Sequence, residues 1–312
     1  MKTFKKICKM EQPKLKKWLE RCLKAKYGMN KVVNEDGFLY VKGNCPILLT
    51  AHMDTVHKEN CREIITFKTD KGETVLTSPQ GIGGDDRCGI WIIWQIICKT
   101  KYRPSILFCE DEEIGGVGSN KFCKTKWVKE LESLKYLVEL DRAHDNDAVY
   151  YDCGNAEFKK YIKKATGYIE DHGSFSDISH LSPECDVASV NLSCGYYRAH
   201  TTEEYVVFEE MWHTYKVVKK LCAEAKECDS YDYQEVNPFR YSNNWLSEMY
   251  DGGAYKSYNY YNDTAYYEIN YNDAKGEDVY CVEASSYEEA LGMFFLDKTD
   301  RCYQDIIDVM VY

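Results

Sequence analysis

Short, almost unbroken apolar runs recur along the first two thirds of the chain, separated by stretches with helical spacing of apolar and charged positions. Four of the runs, Cys45–Thr50 (CPILLT), Pro104–Cys109 (PSILFC), Tyr136–Leu140 (YLVEL) and Val187–Cys194 (VASVNLSC), predict buried β-strands. Another, Cys88–Cys98 (CGIWIIWQIIC), has almost no polar position and predicts an element buried on every side. Read as a helix, it has Asp85 and Asp86 at its amino end, beside the positive pole of the dipole. Residues 3–27 predict an amphipathic helix interrupted near Pro13. Lys31–Val41 and Ile64–Thr77 predict hairpins turning at Asp36-Gly37 and at Thr69–Gly72. A Lys-rich stretch ending near Lys135, the segment Phe158–Thr166 and the segment from about Glu203 to Ala225 predict helices.

Strands alternating with helices predict an α/β fold with a mostly parallel central sheet and helices on both faces. In such sheets ligands collect beyond the carboxyl ends of the strands. His52, Glu112, Glu113, Asp141 and His200 each follow such an end.

The pattern changes near residue 227. Residues 227–264 are rich in Tyr, Asn, Asp and Ser with weak periodicity, and are expected to form an aromatic linker packed on the main domain. Residues 265–312 predict a small α+β appendage. Its strands are Tyr266–Tyr271, Val279–Glu283 and Ile306–Val311, with a helix opened by Ser285 or Ser286. Residues 1–226 are thus expected to hold the chemistry.

Charge sharpens this division. The formal net charge is −11, yet from Glu227 onward there are 18 acidic against 5 basic residues, so the first 226 positions are nearly balanced. Nucleic-acid binding has no basic footprint. No apolar run approaches the roughly 20 residues that span a bilayer, so no membrane partner is expected. The basic start, MKTFKKICKM, lacks the apolar stretch of a secretion signal. The 15 cysteines include no CxxC pair and imply reduced thiols in a cytoplasmic protein.

Imidazole and carboxylate are the donors that suit zinc. Two metals about 3.5–4 Å apart need a bridging carboxylate and terminal ligands for each ion. Asp54, two residues after His52, is placed to orient the imidazole. The neighbouring Glu112 and Glu113 suit two jobs, proton transfer and metal binding.

The blocks HMDTV, GIGGDDRCG, EDEEIGG, ELD and AHTTEEYV, in this order across about Leu48–Val206, resemble the co-catalytic zinc exopeptidase superfamily of aminopeptidases, peptidase T-like tripeptidases, carboxypeptidases and aminoacylases. The resemblance implies two Zn²⁺ ions, with Co²⁺ or Mn²⁺ as substitutes. It implies His52, Asp85 and Asp141 around one ion and Asp85, Glu113 and His200 around the other, with Asp85 bridging. Glu112 then matches the general base and Asp54 the acid that orients His52. Only 58 residues separate Asp141 from His200, too few for the lid domain of many branches, so the chain resembles the compact aminopeptidase branch. HMDTV and GDDR also resemble the peptidase T branch. Gly173–Ser182 is similar to the compact branch's substrate-pocket loop, which offers Ser176 and Asp177 for substrate contact. That branch commonly has His after Ser-Asp, where this chain has Ile178. Tyr196 or Tyr197 is a candidate for the developing oxyanion, with a core role as the alternative. His57, His144, His172, His180 and His213 match no ligand position and are read as structural or exposed.

The expected substrates are short peptides or amide-containing small molecules, with a homo-oligomer possible. An amidohydrolase of N-acyl amino acids and a metal-stabilised binding module are the alternatives to an aminopeptidase. Glu112 argues against the module, which has no need of a base beside its metals.

Overall fold

The computed structural model describes residues 1–59, 61–236, 265–273, 276–284 and 306–311, together with Ala290, Phe294 and Lys298. The chain forms two compact units, Met1–Val236 and Asn237–Tyr312.

In the first unit, helices α1 (Lys2–Cys8) and α2 (Gln12–Tyr27) precede the hairpin β1 (Val32–Glu35) and β2 (Phe38–Val41). Pro13 sits in the first turn of α2, where no N–H partner is lost. Strand β3 (Cys45–His52), the hairpin β4 (Ile65–Lys68) and β5 (Thr74–Thr77), and helix α3 (Gly84–Lys99) follow. Next come β6 (Pro104–Cys109), α4 (Val117–Cys123), a 3₁₀ helix (Lys126–Ser133), β7 (Tyr136–Arg142) and β8 (Asp147–Val149). The unit continues through α5 (Ala156–Thr166), β9 (Ile169–Asp171), α6 (Asp177–Cys185) and β10 (Ser189–Ser193). It closes with β11 (Tyr196–Tyr197), β12 (Tyr205–Val207) and α7 (Phe208–Glu224).

Eight strands form the central sheet in the order β1-β2-β6-β3-β7-β10-β8-β9. The inner four, β6, β3, β7 and β10, run parallel, while β2 and β8 join them antiparallel. Side-chain alternation along these strands divides the core into two layers. Ile47, Leu49 and Ala51 of β3, with Ile106 and Phe108 of β6, face the layer containing α1, α2, α3, α5 and α7. Leu48, Leu107 and Leu137 face the other, with residues of α4, the 3₁₀ helix and α6. The α/β fold with a mostly parallel sheet between helices is thus the one the apolar pattern predicts.

The uniformly apolar α3 lies between the sheet and other helices. On one side Gly89 leaves no room for a side chain, since a Cβ there would sit 1.9 Å from the Leu140 carbonyl of β7. On the other, Trp91 packs against Phe208, Trp212 and Tyr215 of α7 at ring distances of 5.6, 5.7 and 6.4 Å.

Some expectations shift. A second sheet, β11-β12-β5-β4, brings the Ile64–Thr77 hairpin together with the segment around His200. The last helix therefore begins at Phe208 rather than near Glu203, because Tyr205–Val207 pairs with β5. Residues 177–185 form α6 where the resemblance implies a pocket loop, its start held by a capping box between Ser176 and Ser179. The Lys-rich stretch divides into α4 and the 3₁₀ helix. The first unit runs on to Val236, as Tyr231 stacks on Tyr161 at 5.4 Å and Glu235 bridges to Cys153.

The second unit contains the antiparallel sheet β14-β13-β15, built from β13 (Ala265–Asp273), β14 (Gly276–Ala284) and β15 (Ile306–Val311). Tyr267, Ile269, Tyr271, Ala290 and Phe294 form its core. The helix expected to open at Ser285 or Ser286 falls on residues outside those described, as does the linker beyond Val236. Among the described residues every cysteine is a free thiol, and no helix is long and apolar enough to cross a membrane.

Candidate metal centre

Three parallel strands deliver four of the candidate residues. His52 is the last residue of β3, Asp141 lies near the end of β7, and Glu112 and Glu113 follow β6. Asp85 comes from the start of α3. Its dihedrals (φ −77°, ψ 107°) and those of Asp86 (φ −113°, ψ 50°) are not helical, and the peptide bond between them is cis. The two acids divide the work. Asp86 acts as the cap, its Oδ1 accepting the Gly89 N–H at 2.8 Å and its Oδ2 the His52 N–H at 3.2 Å. That leaves the Asp85 carboxylate for the cleft. Arg87 completes the tie by donating to the Met53 carbonyl.

Asp85 lies between two imidazoles. Its Oδ1 is 2.9 Å from His52 Nε2, and its Oδ2 is 3.3 Å from His200 Nε2. On one side, His52 Nε2 is also 3.3 Å from Asp141 Oδ1 and 3.9 Å from Glu112 Oε2. On the other, His200 Nε2 is 3.0 Å from Glu113 Oε2. His52, Asp85 and Glu113, and likewise His52, Glu112 and Asp141, offer donor atoms close enough together to hold a metal ion.

Asp54 joins the two strand ends. Its Oδ1 accepts from His52 Nδ1 at 3.2 Å and from the Glu112 N–H at 3.1 Å, and its Oδ2 from the Glu113 N–H at 3.0 Å. With Nδ1 donating, Nε2 presents its lone pair to the cluster.

Asp141 has its own support. Ser176 donates to its Oδ2 at 3.1 Å, Asn191 accepts its N–H at 2.9 Å, and Tyr196 donates to its carbonyl at 3.2 Å. Ser176 and Tyr196, offered by the sequence for substrate contact, thus lie beneath the acid. Tyr197 bonds Glu210 at 2.8 Å and stacks on Tyr205 at 5.0 Å. Asp177 is fully buried at the start of α6.

Packing this many carboxylates together out of water disfavours their ionised forms. Burial, reinforced by Asp85, pushes Asp141 up to about 7. Burial, then the charges of Asp141, Asp177 and Glu113, raises Glu112 well above the usual carboxylate range. Burial acts on Asp85 too, but hydrogen bonds with His200 and His52 outweigh it and hold its carboxyl below that range. The site therefore gathers carboxylates whose ionised forms call for an opposing positive charge, on a mixed N/O donor set. Glu113 adds a buried Oε1 with no hydrogen-bond partner. Both features fit divalent cations.

The sequence places Asp86 beside Asp85 at the helix start without a role of its own, gives none to Arg87, Asn191 or Glu204, and reads His57 as structural or exposed. The structure buries Glu204 completely and sets it 2.8 Å from His57 Nε2. Adjacency to Asp85 and to His200 was the available clue for the first two and for Glu204.

No family model and no curated protein matches the sequence. Solved structures do match. The aminopeptidase PepT of Bacillus cereus ATCC 10987 aligns with a TM-score of 0.57 at 16% identity, covering 72% of this chain and 97% of that one. A tripeptidase of Staphylococcus aureus subsp. aureus Mu50 gives 0.53 at 14% identity, covering 73% and 98%. A TET aminopeptidase from the marine sediment archaeon Thaumarchaeota archaeon SCGC AB-539-E09 gives 0.50 at 11% identity, covering 70% and 94%. By fold, this chain stands with the PepT-type aminopeptidases and the TET peptidases, the zinc exopeptidase-like architecture that its motifs resemble.

Proposed function

We propose that the cluster is a two-metal hydrolytic centre that cleaves the amino-terminal peptide bond of short peptides. The observation that carries this reading is the double-faced Asp85, with one oxygen toward His52 and the other toward His200. In this reading His52, Asp85 and Asp141 hold one ion, and Asp85, Glu113 and His200 the other. The fold shared with PepT and TET aminopeptidases supports the choice of peptide over other amides.

Bound there, two divalent ions would lower the pKa of a water and polarise the scissile carbonyl. Glu112 is the proton carrier. It is mostly buried beside the ligand set, and its raised pKa suits a group that takes the water's proton and returns it to the departing amine. Asp54 orients His52 and fixes the Glu112–Glu113 backbone, so base and ligands move as one body. Ser176 and Tyr196 hold Asp141 against its like-charged neighbours.

The test is metal analysis of zinc-loaded protein, followed by mass spectrometry of a short-peptide pool in which half is amino-terminally acetylated. Loss of single residues from the free half alone supports the reading. Release of acetate, or cleavage confined to the blocked half, indicates a deacylase instead.

A further inference from the structure

We infer that Glu204 is the positioning residue for Asp85, and that it locks together the loop that follows His52, the loop that enters Asp85 and the loop that carries His200. The inference rests on the metal-centre reading for its effect on the ions, but the hydrogen bonds that carry it belong to the protein alone.

Glu204 is fully buried, in the connection between β11 and β12, four residues after His200. Its Oε1 accepts the backbone N–H of Asp85 at 2.9 Å. Its Oε2 accepts the N–H of Gly83 at 2.8 Å and meets His57 Nε2 at 2.8 Å. Its own carbonyl accepts from the Thr77 hydroxyl at 2.9 Å, which fixes the residue to β5. One carboxylate therefore touches the loop after β3 through His57, the loop before α3 through Gly83 and Asp85, and its own loop.

The fit is close. Gly81 has φ +81°, and a Cβ there would lie 2.1 Å from the His57 ring. The glycine lets the imidazole pass under the loop and reach Glu204. Gly84 is as tightly enclosed, since a Cβ would meet Tyr196 and Val206 at 2.8 Å and Glu204 Oε1 at 3.1 Å.

Asp85 has non-helical dihedrals, so the regular helix ladder does not set its backbone. The Glu204 bond fixes its N–H instead, and with it the direction of a side chain that must serve two histidines. A glutamine cannot replace the carboxylate. With its carbonyl toward Asp85 it turns an amide toward the Gly83 N–H, and with the carbonyl reversed it orphans the Asp85 N–H.

The test uses the full chain as wild type, Glu204→Gln and, as control, Glu203→Gln, whose exposed carboxylate pairs, among the described residues, with the exposed Arg198. Cobalt(II) affinity by calorimetry and the cobalt d–d absorption bands report the ligand geometry. Amide exchange across 81–87 in metal-free protein reports the loop itself. The inference expects Glu204→Gln to lower metal affinity roughly 10- to 100-fold, to shift the d–d bands, and to speed exchange in 81–87. Glu203→Gln should change none of these. Unaltered bands and affinity, with only a lower thermal midpoint, would overturn the positioning role, as would unaltered exchange at 81–87. A wild-type chain that binds no cobalt would defeat the metal-centre reading, and exchange alone would then decide whether Glu204 holds the loop.

Discussion

The two halves of the site are built by different means. The His52–Asp141 half stands on neighbouring parallel strands, β3 and β7, whose register sets the separation of its side chains. The His52 side chain is fully buried there. The His200 half stands on a connection between two short strands of the second sheet. Arg198 (φ 55°) and His200 (φ 64°) adopt left-handed conformations there, uncommon for residues with a Cβ, and the His200 side chain is 28% exposed. Strand register is inherited from a large core, whereas the loop half depends on local hydrogen bonds such as those of Glu204. The first half should therefore tie metal binding to fold stability, and the second should tune the centre at little cost to the fold.

The largest effect should come from Asp85→Ala, the residue common to both halves. Binding of both ions should fall by more than the roughly 10- to 100-fold that the loss of an outer partner costs, as read by metal analysis after dialysis. Retention of two tightly held ions would separate the halves and refute the bridge. Glu112→Gln should keep both ions and lose about 10²–10⁴ in turnover, a division that steady-state kinetics and metal content read together.

The halves should then diverge. His52→Ala removes a fully buried side chain with partners on three sides, and should lower the stability of the metal-free protein by at least about 2 kcal/mol. His200→Ala, which removes a partly exposed side chain that bonds Asp85 and Glu113, should cost less, about 1 kcal/mol. Equal losses in denaturant titrations would erase the distinction.

The pH dependence should follow the strand half. Asp141, raised by burial and by Asp85, holds its proton to about pH 7 in the fold, against about 4 for an unfolded aspartate. Between those values the folded state binds the extra proton, so the metal-free protein loses stability as pH rises through the window. Metal binding requires the ionised form, so stabilisation by zinc should grow from pH 5 to pH 8. A gap in thermal midpoint that stays constant over this range would contradict the account. The smallest effect expected is that of Tyr196→Phe, about 1 kcal/mol, from losing the hydroxyl donated to the Asp141 carbonyl.

The same division explains what the sequence makes legible. The strands leading to His52, Glu112 and Asp141 are short apolar runs buried on both faces, and the polar residues that end each run mark the rim of the sheet. His200 is readable only through a motif, because no local periodicity marks the connection that carries it. The second sheet stays hidden because β11 and β12 are very short and β12 pairs with a hairpin far away in sequence. A propensity reading extends the following helix over Tyr205–Val207 for the same reason. Glu204 looks like one more acid in HTTEE, and only burial beside backbone donors distinguishes it from exposed Glu203. Asp85 and Asp86 are equivalent in sequence, and their division into ligand candidate and helix cap follows from non-helical dihedrals that no pattern announces.

The central claim is that Asp85 joins two metal positions, one in each half. Anomalous scattering from zinc-soaked crystals of the wild-type chain tests it most directly. The account predicts two zinc peaks flanking the Asp85 carboxylate, one beside His52 and Asp141 and the other beside His200 and Glu113. A single peak, or zinc bound away from Asp85, would contradict it.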